Sequence, residues 1–423
     1  MREYKDSGSS WVGRIPIDWK MLRGKNLFAQ KSDKGNSKAL VLLSPTQNYG
    51  VIPQDMYEEL SGFSAVKLNE NIDYNLLKTV HKGAYVISLR SFQGGFEYSE
   101  YEGVVSPAYQ VFYPIAQICD RYYKYLFKDK SFVGKMNSYT MSLRDGKTIA
   151  FDDFGRSYIP FPPVEEQERI AFYLDAKCEE VDTLSADIQS EIDTLEAYKR
   201  SVITETVTKG LEKGVFVKES GIPWIGMIPE HWKASKIKYE IFPVEKRTTE
   251  RDGIITCFRD GEVTLRSKRR EEGFTVSLTE HGYHGVDIGD LVIHGMDAFA
   301  GAIGCSDSRG KTTPVVHVCK TTGNNRFFMY CLRSMAYGNI LMDLSDGIRV
   351  RSSDFRNFSK LGVFGIAVAP VQEQNEIVAY LDKICSEIES IIAQKREQLT
   401  VLADYKKSVI YEYVTGKKEA PVI

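Results

Sequence analysis

Residues 163–208 read PVEEQERIAFYLDAKCEEVDTLSADIQSEIDTLEAYKRSVITETVT, and residues 370–415 say nearly the same again, PVQEQNEIVAYLDKICSEIESIIAQKREQLTVLADYKKSVIYEYVT, with roughly four in ten positions identical. In the first copy Leu174, Val181, Ile188, Leu195 and Val202 fall every seven residues, and Cys178, Ser185, Ile192 and Lys199 follow four positions behind. In the second copy the series is Leu381, Ile388, Lys395, Leu402 and Val409, followed by Cys385, Ile392, Leu399 and Lys406, with Ile384, Ile391 and Tyr405 widening the stripe. Such a seam, sustained over about four heptads, predicts two long helices. Proline and glutamate open each one (Pro163, Glu165, Glu166; Pro370, Glu373) and glycine closes each (Gly210, Gly416), as the helix dipole and the left-handed C-terminal turn favour. At about 1.5 Å per residue, about 40 residues make a rod of roughly 60 Å. A lone amphipathic helix of that length leaves its stripe in water, so the two are expected to pair. The short link from Gly210 to the next segment makes that pairing antiparallel, with Cys178 and Cys385 as opposed small seam residues.

Outward from the helices, a second repeat appears. Residues 5–20, KDSGSSWVGRIPIDWK, match residues 218–233, KESGIPWIGMIPEHWK, with Trp11/Trp224, Gly13/Gly226, Pro16/Pro229 and Trp19/Trp232 in register. By the symmetry of the duplication, the first copy of this segment is expected near the C-terminal end of the second helix. Between the matched parts the letters diverge. A duplication with kept ends and divergent middles implies one scaffold carrying two specificities.

The chain has 423 residues, 43% of them hydrophobic and 26% charged, enough for two or three globular domains. No apolar run approaches the roughly 18 residues of a membrane span, and the N-terminal MREYKDSGSS lacks a signal-peptide core, so a cytoplasmic protein without membrane contact is expected. Seven cysteines without a CxxC pair fit reduced thiols. The net charge of −2 hides an asymmetry: residues 164–210 hold 12 Asp/Glu against 5 Lys/Arg and residues 371–417 hold 8 against 6, a combined −9 that leaves +7 on the rest. Acidic helices joining basic domains suit a nucleic-acid binder whose domains alone meet phosphate.

The divergent middles keep a parallel layout. Each holds a glycine-marked strand (residues 82–87 and 288–293), a Ser/Thr-Pro turn before another strand (Ser106-Pro107; Thr313-Pro314), a short helix (residues 120–128 and 325–336) and an Asp-Gly turn (Asp145-Gly146; Asp346-Gly347). The fold class expected is therefore α/β (α+β): two mixed α/β domains separated by an antiparallel coiled coil and related by a pseudo-two-fold axis. The boundaries are residues 1–161 for the first domain, 162–210 for the first spacer helix, 211–368 for the second domain and 369–423 for the second spacer helix. Polar and basic loop residues are the candidates for DNA contact. In the first domain these are Thr46, Gln47, Asn48 and Tyr49 after Ser44-Pro45, then Arg90 and Gln93, then Lys135, Asn137, Ser138, Tyr139, Arg144 and Lys147. In the second they are Arg266, Lys268, Arg269 and Arg270, then Lys311 and Thr312, then Arg349 and Arg351. Gln and Asn pair bidentately with adenine and Arg with guanine, while Lys, Ser and Tyr suit phosphate.

Two variable domains, each preceded by WxGxIPxxW and followed by an EQxxIxxYLD heptad helix ending in YKxSVI, resemble the specificity subunit of type I restriction-modification systems. The marks are Trp11-Val12-Gly13-Arg14-Ile15-Pro16 and Trp224-Ile225-Gly226-Met227-Ile228-Pro229. With them go Pro162 through Gln167 to Leu174-Asp175, and Ala369 through Gln374 to Leu381-Asp382. Ala369 departs from the proline of the first copy. The resemblance spans the chain and implies a non-catalytic subunit that reads a bipartite target in double-stranded DNA, one half-site per variable domain. It further implies docking of two modification (methyltransferase) subunits and of restriction (translocase/nuclease) subunits. S-adenosylmethionine, ATP and Mg would then belong to those partners, with no cofactor on this chain.

Motifs of those chemistries are missing from the letters. Ser44-Pro45-Thr46-Gln47 and Ser106-Pro107-Ala108-Tyr109 lack the second proline of an adenine-methyltransferase motif. Gly310-Lys311-Thr312 and Gly146-Lys147-Thr148 end like P-loops, but Cys305 and Met141 stand where the first glycine belongs. His281, His284, Cys305, Cys319 and Cys331 match no common zinc spacing. Two other functions fit the same letters: a stand-alone bipartite DNA-binding regulator, and a coiled-coil interaction scaffold with no DNA role.

Overall fold

The computed structural model describes residues 2–34, 40–63, 73–88, 95–139, 149–270, 281–342 and 355–421. The chain divides into two compact units, Met1–Ile188 with Glu397–Ile423, and Gln189–Arg396. Each unit thus combines one variable domain with the start of one long helix and the end of the other.

In the first unit, strands Phe28–Gln30, Gln110–Pro114, Tyr85–Ile87 and Phe96–Tyr98 lie side by side in that order, every neighbour antiparallel. Alternation along the strands sorts the side chains onto two faces. Tyr85, Ile87 and Phe112 point into a core with Phe28, Phe96, Tyr123, Phe127, Phe132 and Phe154, whereas Val86 and Val111 join Leu43, Val51, Val80 and Val105 on the other side. The first face is built largely from edge-to-face rings, Phe28 standing 5.5 Å from both Tyr85 and Phe112 at near-right angles. The second face is covered by a hairpin, Leu43–Thr46 paired with Gly50–Pro53.

The second unit repeats this order without repeating the letters. Its sheet runs Ile241–Pro243, Val316–Thr321, Leu291–His294 and Ile303–Cys305, again antiparallel throughout. Leu291 and Ile293 enter one core with Cys319, Phe327 and Phe328, while Val292 and Val318 face the hairpin of Ile255–Cys257 with Val263–Leu265. The glycine-marked strands are central in both sheets. The expected helices stand at Asp120–Lys128 and Asn325–Tyr337. A further helix, Lys130–Asn137, went unread because its signal is a single cap: the Asp129 carboxylate accepts the Ser131 and Phe132 amides at 2.9 and 3.1 Å. The Asp145-Gly146 and Asp346-Gly347 turns lie outside the described residues.

The long helices run Val164–Lys209 and Val371–Val414. Each ends at its glycine, with φ of +77° at Gly210 and +71° at Gly416. Within the first unit Tyr173 packs on Tyr413 (ring centroids 4.5 Å apart) and Lys406 reaches Asp182 at 2.6 Å, so the helices are antiparallel. Within the second, Lys199 reaches Glu389 at 3.2 Å and Lys395 pairs with Glu191. The seam lysines are thereby explained: Lys199 and Lys406 occupy equivalent positions in the repeat, and each engages a carboxylate of the opposite helix, an interaction that fixes register more than it adds stability.

Two expectations about the seam are corrected. Ile391 and Tyr405 are 43% and 44% exposed, because the paired helices bury a narrower stripe than the letters suggested. Cys178 and Cys385 are not opposed; the first lies beside Tyr125 in the first unit and the second beside Tyr330 in the second, and burial pushes both thiols up.

Candidate nucleic-acid interface

The repeated motif residues are joints between domain and helix. Trp19 is fully buried and its indole donates to Glu166 in the first turn of the first long helix at 2.8 Å; Trp232 donates to Glu373 at 3.0 Å. The neighbouring glutamines do the same work twice. Gln167 donates to the Pro162 carbonyl and accepts the Cys119 amide, and Gln374 donates to Ala369 and accepts Asn324. Gly416 lies against Pro16 and Trp19, and Gly210 against Trp232, so each tryptophan segment meets the far end of the other helix, as the duplication predicted.

A third joint escaped the sequence reading. Arg121 and Tyr125 converge on Asp175 at 2.7 and 2.8 Å, and Arg326 and Tyr330 converge on Asp382 at 2.6 and 2.7 Å. Burial first, and then the Asp175 carboxylate, push the Tyr125 phenol well above its ordinary range. The signal was present as Arg121-Tyr122-Tyr123-Lys124-Tyr125 and Arg326-Phe327-Phe328-Met329-Tyr330, whose i,i+4 spacing puts Arg and Tyr on one helix face.

With the repeated residues occupied in holding the frame, the divergent hairpins are what each domain presents. In the first, Gln47, Asn48 and Tyr49 form an exposed tip. Thr46 does not belong with them: it is buried, its hydroxyl donating to the Gly50 carbonyl at 2.9 Å and accepting the Tyr49 amide at 3.0 Å. In the second, the turn between Cys257 and Val263 carries Arg259 and Asp260. Both hairpins rest on the same support. Val51 bridges to Ser99 and Val263 to Ser306, and each serine closes a tight turn onto the residue two further on.

Several candidates stand on regular elements rather than loops. Lys135 and Asn137 are on the unanticipated helix, with the Lys135 ammonium 4.7 Å from the centre of the Tyr139 ring, Ser138 donating to the Lys135 carbonyl, and Tyr139 hydrogen bonded to Ser157. Arg266, Lys268 and Arg269 lie on a short helix, Arg266–Arg269, that follows the second hairpin, with Arg270 exposed at its end. Lys311 and Thr312 are in strand Gly310–Thr312, Thr312 buried, so the P-loop-like letters form no phosphate cradle.

Local carboxylates engage two members of the second domain's basic cluster, Arg269 and Lys268. Arg269 forks onto Asp260 at 3.0 and 2.6 Å, reaches Glu262 at 2.5 Å, and lies 4.0 Å over the Phe258 ring. Burial works against the Asp260 charge, but the Arg269 hydrogen bonds outweigh it and hold the carboxyl below its usual range. Lys268 contacts Ser308 at 2.6 Å and Asp307 at 3.3 Å, and Arg266 donates to Thr256. Arg90, Gln93, Arg144, Lys147, Arg349 and Arg351 lie outside the described residues. A different basic set is exposed at equivalent places in both domains: Arg23 and Lys25 in one, Lys236 and Lys238 in the other. Of the histidines and cysteines whose spacing matched no zinc pattern, His284 is hydrogen bonded to the Val316 carbonyl and Cys319 and Cys331 are core residues; among the described residues no group of three metal-ligating side chains forms.

Part of the chain is similar to known proteins. Residues 16–194 match the model of the type I restriction modification DNA specificity domain. An 80-residue stretch is 36% identical to the type I restriction enzyme MjaVIII specificity subunit of Methanocaldococcus jannaschii, covering 19% of this chain and 17% of that protein's length. Over these stretches the chain is similar to type I restriction-modification specificity subunits. Likeness of fold extends further, over 96% of the chain. A chain from a structure described as showing the structural basis of complex assembly and conformational transition of the type I R-M system superposes over 96% of this chain and 99% of that one, with a TM-score of 0.68 at 13% identity. The HsdS subunit from Thermoanaerobacter tengcongensis superposes over 96% and 98%, with a TM-score of 0.50 at 14% identity. Among the described residues, no helix is long and apolar enough to cross a membrane.

Proposed function

We propose that this chain is the non-catalytic DNA-reading subunit of a type I restriction-modification complex, each variable domain reading one half of a bipartite target in duplex DNA. The observation that carries this is the pairing of two domains alike in strand order and hairpin support but different in hairpin tip, Gln47-Asn48-Tyr49 against Arg259-Asp260. A common frame with interchangeable tips is what two half-site readers require. Contacts independent of sequence must be made at both half-sites, so the equivalent exposed basic residues Arg23/Lys236 and Lys25/Lys238 fit phosphate, and the divergent tips fit base edges.

Docking of two modification subunits is supported by apolar residues exposed at equivalent positions of the two long helices: Leu184 and Ile391, Tyr198 and Tyr405, each 43–52% exposed. Restriction subunits would join the same complex in the cytoplasm, with S-adenosylmethionine, ATP and Mg held by the partners. A stand-alone regulator would leave those four positions without an occupant, and a scaffold without a DNA role would have no need of divergent tips on a common support. Genome-wide detection of N6-methyladenine, with and without the gene, tests the proposal. A bipartite methylated motif that disappears with the gene supports it; a methylome unchanged by the deletion, in cells with active modification subunits, refutes it.

A further inference from the structure

In both domains a basic side chain from the short helix after the sheet reaches across to hold the hairpin turn. Lys128, the last residue of helix Asp120–Lys128, donates to the Gln47 carbonyl at 3.0 Å. Arg333, on helix Asn325–Tyr337, donates to the Asp260 carbonyl at 2.6 Å. The two positions are equivalent, each standing seven residues after the arginine (Arg121, Arg326) that anchors its helix to the long helix. We propose that Lys128 and Arg333 are positioning residues that set the reading tip of each domain at a fixed height and angle, and so control half-site specificity without touching a base. The inference rests on the DNA-reading function proposed above.

Three features favour a clamp over an incidental hydrogen bond. First, each cation is itself held in place. Lys128 pairs with the carboxylate of Glu97, whose side chain is 3% exposed on strand Phe96–Tyr98, and the Arg333 guanidinium lies 5.7 Å from the centre of the Tyr337 ring. Second, both turns contain a glycine at positive φ lying tight against the domain body. A Cβ at Gly261 (φ +90°) would fall 2.4 Å from the Arg333 guanidinium, and one at Gly50 (φ +74°) 2.8 Å from the Tyr98 carbonyl. Third, the acceptor is a backbone carbonyl in each case. A clamp that grips the backbone leaves the side chains at the tip free to differ, which two domains of different specificity require. A tip exposed at the end of a two-stranded hairpin has little of its own to restrain it, and discrimination by bidentate hydrogen bonds demands donors placed to within a fraction of an ångström.

The test uses the chain assembled with its modification subunits, as wild type and as Lys128→Met, Lys128→Arg, Arg333→Met and Arg333→Lys. Two quantities are read: the methylated motif across a genome, and the salt dependence of DNA binding. Lys128→Met is expected to lower base discrimination about tenfold within the half-site of the first domain alone, with Lys128→Arg restoring much of it. Arg333→Met should do the same to the other half-site, with Arg333→Lys the milder change. The slope of affinity against salt should stay at the wild-type value in all four, because a clamp contacts no phosphate. The two domains test the clamp independently, so poor folding of one variant leaves the other decisive. An intact wild-type motif unchanged in both methionine variants, or a salt slope lowered by about one phosphate contact, overturns the clamp alone. A wild-type complex with no bipartite motif overturns the DNA-reading function and the clamp together.

Discussion

Arginine and lysine in a basic cluster are not equally available to DNA. Arg269 is held by Asp260 and Glu262 and stacked on Phe258, so its charge is neutralised within its own domain. Lys25 and Lys238 are exposed at equivalent places. Substituting Arg269 with alanine is therefore expected to loosen the second hairpin and leave the salt dependence of binding unchanged. Substituting Lys25 or Lys238 should lower the slope of log affinity against log salt by about one contact each. Titrations at several salt concentrations check both, and a reduced slope in the Arg269 variant would return it to the phosphate-contacting set. The letters Arg266-Ser267-Lys268-Arg269-Arg270 suggested the opposite ranking, because a basic run announces charge but says nothing of the carboxylates folded against it. Gln47, Asn48 and Tyr49 kept their place at an exposed tip, whereas Thr46, adjacent in sequence, turned inward to close the turn.

At the scale of elements, the joints between tryptophan segment and long helix concentrate the repeat's shared chemistry. Glu166 is nearly buried, its side chain 5% exposed, while Glu373 is 21% exposed and also has His231 at 2.8 Å. Trp19→Phe removes the indole donor from the more buried carboxylate and is expected to cost about 1–3 kcal/mol. Trp232→Phe should cost less, because each glutamate keeps a second partner, Arg2 for Glu166 and His231 for Glu373, but only the more exposed Glu373 is readily reached by water. Urea unfolding of both variants checks the order, and equal losses would show that the indole hydrogen bonds matter less than the ring packing they share. The tryptophans and glutamates were legible as a repeated pattern, but their pairing was not, because Trp19 and Glu166 are brought together from 147 positions apart. The Arg-x-x-x-Tyr joint to Asp175 and Asp382 was overlooked for another reason. Its letters lie inside the divergent middle, where two matching residues in a nine-residue helix do not stand out from chance.

For the molecule as a whole, the proposed function makes helix length a determinant of target spacing. Removing one heptad from each long helix takes out about 10 Å of rise while preserving the seam. The unspecified spacer of the methylated motif should shorten by about three base pairs, or methylation should cease, given that duplex DNA rises about 34 Å per turn. Methylome sequencing of the shortened variant reads this directly, and an unchanged spacer would remove the helices from the measurement of target spacing. The sequence alone determined the duplication, the two long antiparallel helices and the order of elements in each middle, because heptads, caps and turn residues act over a few neighbouring positions. Only the tertiary structure decided that the unlike middles share one strand order, that the most repeated side chains serve as joints, that Lys128 and Arg333 grip the turns, and which basic residues remain exposed. Those outcomes depend on partners tens to hundreds of residues away, Lys128 with Glu97, Lys268 with Asp307, Trp19 with Glu166, and no local pattern in the letters records such a meeting.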